Sequence, residues 1–543
     1  MEAVASPVDT ELHRSCRQEI HSWRSLHARA VEREAAWKQE AQQLQQRLAE
    51  REAECTQLRQ QVESLKAKLS VLQKLIFGRK SERREEGAAP TPCTAEQSLG
   101  ETPRARGQKK GSPGHGRRCH PDLPTEEVSH ELPPEHCRCP RCGNPFKPFP
   151  GTEDSEEIHW EVHVVRRLHK RGRYQPTCTC GGVPGIVTAP CPPKLIPKGK
   201  FSVGFWVNLL LEKYLLQRPL YRVRWLLSVH GLNVSQGTLT GGLERLLPLL
   251  LPLYAKVLER SRGAAHWHMD ETRWMVFVEV EGKPGHRWWL WVVVTQDTVV
   301  FLLEPTRCAE VPSNHLGEDA QGILSVDRYS AYKALADASD GRILVAFCWS
   351  HQRRDFIRVR DGYRRLSAWA QGWVDRIHEL YAFNDRRLAV RTDPQAFATE
   401  DSRLRQAVAA MAELRDRQME DPALHPAQRK ALKSLRGHWG GLTLFVDHPE
   451  IPMDNNESER RLRNPVVGRK NYNWSGSLWS GTLSAVCFTL LQTCLKNGLD
   501  PQKFLHAYLQ ACAENGGRPP DNIDRFLPWN LSPEHKADWA LPP

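Results

Sequence analysis

This 543-residue chain has no long oily run. The longest unbroken stretch, residues 246–253, contains two prolines and falls far short of the roughly 20 residues that cross a bilayer, so no membrane span is expected. The first residues, Met-Glu-Ala-Val-Ala-Ser-Pro-Val-Asp, lack both a basic cap and an apolar core. A cleaved secretory leader is therefore not expected either. A disulfide framework is also missing from the pattern: the 15 cysteines are odd in number and mostly scattered singly, which fits reduced thiols in a cytosol. The composition does supply enough to fold, with 40% hydrophobic and 26% charged residues, and a length that implies several folding units. A formal net charge of +12 points to a polyanionic partner.

From Trp37 the positions 37, 41, 44, 48, 51, 55, 58, 62, 65, 69, 72 and 76 alternate steps of four and three, and only Arg51 among them is polar. That is the seam of a coiled coil, to be paired with another copy or folded back. A helix lying along its own globular domain is the other way to use it. Residues 1–83 form this unit. Residues 84–135 read as a linker rich in Pro, Gly, Ser and Thr, with Arg104, Arg106, Lys109, Lys110, Arg117 and Arg118 and no acid from Thr102 to His120. Such a stretch either follows a phosphate backbone or is simply solvated.

Residues 136–195 carry two thiol pairs, Cys139-Pro-Arg-Cys142-Gly and Cys178-Thr-Cys180-Gly. Four thiolates on tight turns suit a structural Zn²⁺ site, with Cys137 or His136 able to replace one ligand. Residues 200–262 are helical, and the outline from Arg222 through Gly231 to Ser235 fits either a helix-turn-helix or plain helix packing. Residues 263–500 then change character. Segments 267–280, 287–295 and 298–304 read as consecutive antiparallel strands, followed by short buried strands at 323–327 and 343–347. Three strands, helix, strand, helix, strand is the order of a ribonuclease-H-like fold, here with a helical insertion at about 360–445. Residues 501–543 add a helix and a tail. The fold class is thus multidomain α+β.

Three acidic stations stand out: Asp270 in the first strand, Asp327 at the end of the fourth, and Asp454-Asn-Asn-Glu457-Ser-Glu459-Arg460 opening a helix past the insertion. Strands one and four are neighbours in a ribonuclease-H-like sheet, so their carboxylates can converge with one from the helix. Hard oxygen ligands select Mg²⁺ or Mn²⁺. A pair of such ions about 4 Å apart can run an in-line phosphoryl transfer. Arg460, Arg461, Arg463, Arg469 and Lys470 follow without an intervening acid, as a grip on DNA phosphates. Tyr472 and Trp474 either stack on an unpaired base or belong to the core. Cys348-x-x-His351 is read as a structural brace at the sheet edge, with half a metal site as its alternative.

The chain resembles transposases of the insertion-sequence-66 family. The resemblance rests on Phe77-Gly-Arg-Lys-Ser-Glu-Arg83, Gly114-His115-Gly-Arg-Arg, the cysteine pairs, His268-Met-Asp270-Glu-Thr272, Asp327-Arg-Tyr329-Ser-Ala-Tyr332, Cys348-Trp-Ser-His351-Gln-Arg-Arg354, and Asp454 through Arg460 followed by Gly468-Arg-Lys-Asn471. It implies a DDE transposase in which Asp270, Asp327 and Glu459 hold two Mg²⁺ ions, expose a 3′-hydroxyl at each transposon end and join it to target DNA. Helper proteins are a further expected partner class. Arg328 departs from the pattern, which has Gly there. A nuclease that only hydrolyses, or an inactive DNA-binding protein, would share much of this sequence. Glu457 and Glu459 point about 200° apart on a helix, so only one can face the site. Leu462, three positions on, puts Glu459 on the core side and Glu457 on the more solvated one, with Pro465 expected to end the helix.

Overall fold

The computed structural model describes residues 7–77, 141, 163–174, 186–282 and 285–542. Two compact units divide the chain, Met1–Lys80 with Val164–Pro543, and Ser81–His163, and of the second only Arg141 and His163 are described. The basic linker residues and the proposed zinc ligands Cys139, Cys142, Cys178 and Cys180, with Cys137 and His136, lie outside the described residues.

With no proline after its first residue and no glycine, Pro7–Phe77 forms one helix, α1, which begins well before the seam noted at Trp37. Seam residues Trp37, Leu44, Leu48, Leu58, Val62, Leu65 and Leu69 are all exposed. A different face near the C-terminal end docks on the globular body. Ala67 is buried against Gly362, Ser70 Oγ donates to the Asp361 carbonyl at 2.8 Å, and Glu63 meets His425.

After the short strands β1 (Arg173–Tyr174) and β2 (Val187–Thr188) come α2 (Val203–Leu210), a π-helical turn (Leu211–Leu215), α3 (Leu220–Val229) and α4 (Gln236–Arg262). Ser235 caps α4 by accepting from Thr238 N. The helix pair expected around Gly231 therefore exists, but the leucines of α4 enter the same core as the sheet, which ordinary helix packing explains.

Five strands follow: β3 (His266–Met275), β4 (Arg287–Val294), β5 (Val299–Glu304), β6 (Gly322–Val326) and β7 (Ile343–Phe347). Their order is β5-β4-β3-β6-β7, with antiparallel pairs on the β5 side of β3 and parallel pairs on the β7 side. Helices α5 (Glu310–Leu316) and α6 (Ser330–Ala338) fill the crossovers, and α7 (Trp349–Gly362) leaves the end of β7. The insertion is α8 (Ser367–Ala389), α9 (Pro394–Met419), α10 (Pro426–Gly437) and α11 (Trp439–Asp447), whose Trp373, Ile377 and Leu432 share a second core with Trp349 and Phe356 of α7. Then come α12 (Asn456–Tyr472), α13 (Leu478–Lys496), α14 (Pro501–Glu514) and α15 (Pro533–Asp538).

Helix α13 is long and apolar enough to cross a membrane by composition alone, yet it is a core helix covering β5. Its Thr489 and Thr493 hydroxyls accept the Phe301 and Val299 N–H groups at 2.8 and 3.1 Å. The open edge of the sheet is thereby closed by side chains rather than left to pair with another strand.

Candidate active site

The two aspartates are set by strand register. Strands β3 and β6 run parallel with His268 opposite Ser325. Continuing that pairing by two residues brings Asp270 level with Asp327, which stands directly after β6 and accepts from Tyr329 N at 2.9 Å. Glu459 comes from the first turn of α12. Burial, with the like charges of Glu271, Asp327 and Glu459, pushes the Asp270 carboxyl up to about 8 from 3.8. Of the three acids named from the sequence, Asp270 is therefore close enough to both Asp327 and Glu459 to feel their charge.

Residues inside the same motifs hold these stations in place. Glu271, its side chain buried on the opposite face of β3, accepts from Tyr332 Oη at 2.5 Å and pairs with Arg307. Arg307 lies over the Tyr329 ring at 3.9 Å from its centre, and Tyr329 Oη donates to the Arg307 carbonyl. The loop bearing Asp327 is thus clamped to the strand bearing Asp270. Asn455, fully buried before α12, donates to the Met269 carbonyl at 2.7 Å, meets His268 Nδ1 at 3.0 Å, and sends its backbone N–H to Cys348 Sγ. Cys348 accordingly braces α12 against the end of β7. His351, on the first turn of α7, instead faces the site: its Nδ1 lies 3.7 Å from Glu459 Oε1, and Arg354 Nη2 donates to both Glu459 oxygens at 3.2 and 3.4 Å. Neither Glu271 nor Arg354 was singled out from the sequence, although both lie inside the quoted motifs, one and three positions from residues that were.

Glu457 is used differently. It pairs with Arg461, Lys496 and Arg460 at 2.9, 3.1 and 3.3 Å. Burial works to raise its pKa, but the bonds from Arg461 and Lys496 hold it down at about 2. It is an anchor between α12 and α13, with only about a quarter of its side chain exposed, and not the solvated group expected from helical spacing.

The basic residues of α12 divide by face. Arg460, Arg463, Val467 and Lys470 form one exposed stripe at helical spacing. Arg469 turns inward, donating to Thr272 Oγ1 at 2.7 Å and the Arg273 carbonyl at 2.6 Å, and stacking on Trp474. Tyr472 donates to Gln217 Oε1, and Trp474 packs edge-on against Trp274, so both are core residues. Gln217, which nothing in the sequence flagged, also engages Asn464 and Asn471. Gly468 makes room for it, since a Cβ there would overlap the Gln217 amide. Arg328 has no positive φ and so needs no glycine. Its guanidinium reaches Asp355, Ser434, Gln352 and the His351 carbonyl, tying the Asp327 loop to α7 and α10.

A family model described as "Transposase IS66 family" matches residues 198–483, a span that includes all three acids. The chain belongs to the IS66 transposase family. Similar proteins are the uncharacterized protein y4qI of Sinorhizobium fredii (strain NBRC 101917 / NGR234), 28% identical over 87% of this chain and 89% of its own length, and y4jD of the same strain, 26% identical over 86% and 94%. A transposase role, and with it action on DNA and divalent metal use, follows from the family.

Among the described residues no group of three or more His, Cys, Asp or Glu side chains is gathered tightly enough to hold an ion as it stands. The donor chemistry nonetheless fits Mg²⁺ or Mn²⁺: all three acids offer carboxylate oxygen, and Asp270 is buried among like charges and accepts from the Glu271 N–H at 2.8 Å.

Proposed function

We propose that this IS66-family transposase cleaves and joins DNA strands at transposon ends, with Asp270, Asp327 and Glu459 as its metal-binding carboxylates. The observation that carries the reading is the parallel register of β3 and β6, His268 opposite Ser325, which leads Asp270 on β3 and Asp327 just past the end of β6 to the same level, with the charge of Glu459 helping to raise the Asp270 pKa. The strand order and directions also support a ribonuclease-H-like catalytic fold. Asp270, Asp327 and Glu459 would hold divalent ions, whose chemistry is to activate an attacking oxygen and stabilise a leaving one at phosphorus. The clamp of Glu271, Tyr332 and Arg307 fixes the separation of the two aspartates, and Asn455 fixes the helix that brings Glu459. Arg460, Arg463 and Lys470 grip the DNA backbone, while Arg469 positions α12 on β3. The seam of α1 pairs two copies, so that two transposon ends can be held together.

Incubation of the protein with duplexes ending in the element's terminal repeats, a supercoiled target plasmid and Mg²⁺ tests this. The expected product is plasmid covalently joined to the 3′ end of the duplex. Nicked duplex without joining would favour a hydrolytic nuclease, and no reaction with retained binding an inactive DNA-binding protein.

A further inference from the structure

The cation facing Glu459 is unlike two other arginine–carboxylate pairs of the chain. Arg387 has no exposed side chain and donates to Asp401 at 2.7 Å, to Asn384, and to two backbone carbonyls. Arg328 is 16% exposed and donates to Asp355 at 2.6 Å and to three further acceptors. Those are fixtures of the fold. Arg354 is 43% exposed, and its bonds to the two Glu459 oxygens, 3.2 and 3.4 Å, are long for a charge-assisted pair. Its other contact is with the His351 ring one turn earlier on the same helix. A half-exposed, loosely bonded guanidinium spanning a carboxylate contributes little to stability and is cheap to displace.

We propose that Arg354 is a place-holder cation, holding the Glu459 carboxylate toward the site until a divalent ion takes its place. The inference rests on the reading of Glu459 as a metal ligand. Without the guanidinium, Glu459 would face Asp270 and Asp327 with only the His351 ring beside it, 3.7 Å away, and a divalent ion that relieves the like-charge repulsion would bind more favourably. With the guanidinium present, the carboxylate is pre-positioned, and ion binding must displace an existing partner. Arg354 is therefore a positioning residue whose removal has an unusual sign: it frees the ligand and tightens metal binding.

The test is Mn²⁺ binding to the full chain without DNA, followed by titration calorimetry and by the loss of the free-Mn²⁺ electron paramagnetic resonance signal. Arg354→Ala and Arg354→Gln should each bind Mn²⁺ about two- to fivefold more tightly than the unaltered protein, the range expected for releasing a partly exposed ion pair. Arg354→Lys, which keeps the charge, should stay near the unaltered value, and Glu459→Gln should weaken binding. Unchanged or weaker binding in both neutral Arg354 variants, with Glu459→Gln still impaired, would overturn the place-holder role alone. Equal Mn²⁺ binding by Glu459→Gln and the unaltered protein would overturn the assignment of Glu459, and the inference with it. Using two neutral variants keeps the test decisive should one of them fail to fold.

Discussion

Two glutamates separated by one serine are put to opposite uses, and the difference lies in what surrounds each carboxylate. Glu459 meets Arg354 and His351 at the mouth of the acidic site, whereas Glu457 is bound by three cations from α12 and α13. Removing the Glu457 charge leaves Lys496, itself only 15% exposed, without its carboxylate. Glu457→Gln should therefore lower stability by about 2 kcal/mol, read as a reduced midpoint in urea. The pH dependence has a definite sign. Because the folded-state pKa is about 2 against an ordinary 4.5, the stabilisation is complete above about pH 4.5 and is lost as the pH falls toward 2. The difference between the unaltered and Glu457→Gln proteins should shrink over that window, and a gap that stays constant from pH 6 to pH 3 would show that the carboxylate charge is not what stabilises α12.

At the scale of elements, the strands were the most legible part of the sequence. Segments dense in Trp, Val and Phe between polar breaks located β3 to β5 closely, short buried apolar runs located β6 and β7, and Asp270 and Asp327 emerged with them because each sits in or directly after such a run. Helix α12 was less legible. Pro465 was expected to end it, yet the helix continues to Tyr472. Proline has no N–H to give the Arg461 carbonyl, and Gln492 of α13 supplies the missing donor at 3.1 Å. That partner lies far along the chain, beyond the reach of any local pattern. The same holds for Gln217 against Gly468 and for Arg354 against Glu459, which are contacts between distant segments. Replacing Gln492 by Met, similar in shape but without the amide, should leave that carbonyl unsatisfied and cost about 1–3 kcal/mol in thermal or urea unfolding. A change below a few tenths of a kcal/mol would mean that the helix tolerates the proline unaided.

At the scale of the whole molecule, α1 docks through Glu63, Ala67 and Ser70 and leaves its leucine seam in solvent. An exposed stripe of this length at coiled-coil spacing calls for a partner helix. The full chain should sediment as a dimer, and Leu65→Glu with Leu69→Glu should make it monomeric while leaving the docking face intact. A monomeric unaltered chain would remove the paired seam from the account. If Asp270, Asp327 and Glu459 act together on DNA, strand transfer by matched glutamate variants must separate Glu459 from Glu457. With DNA binding monitored in parallel, Glu459→Gln should abolish joining of a 3′ end to plasmid while still binding the duplex, and Glu457→Gln, assayed at a temperature where it is folded, should retain joining within about tenfold of the unaltered protein. Full joining by Glu459→Gln together with loss in folded Glu457→Gln would contradict the account and move the third carboxylate to Glu457.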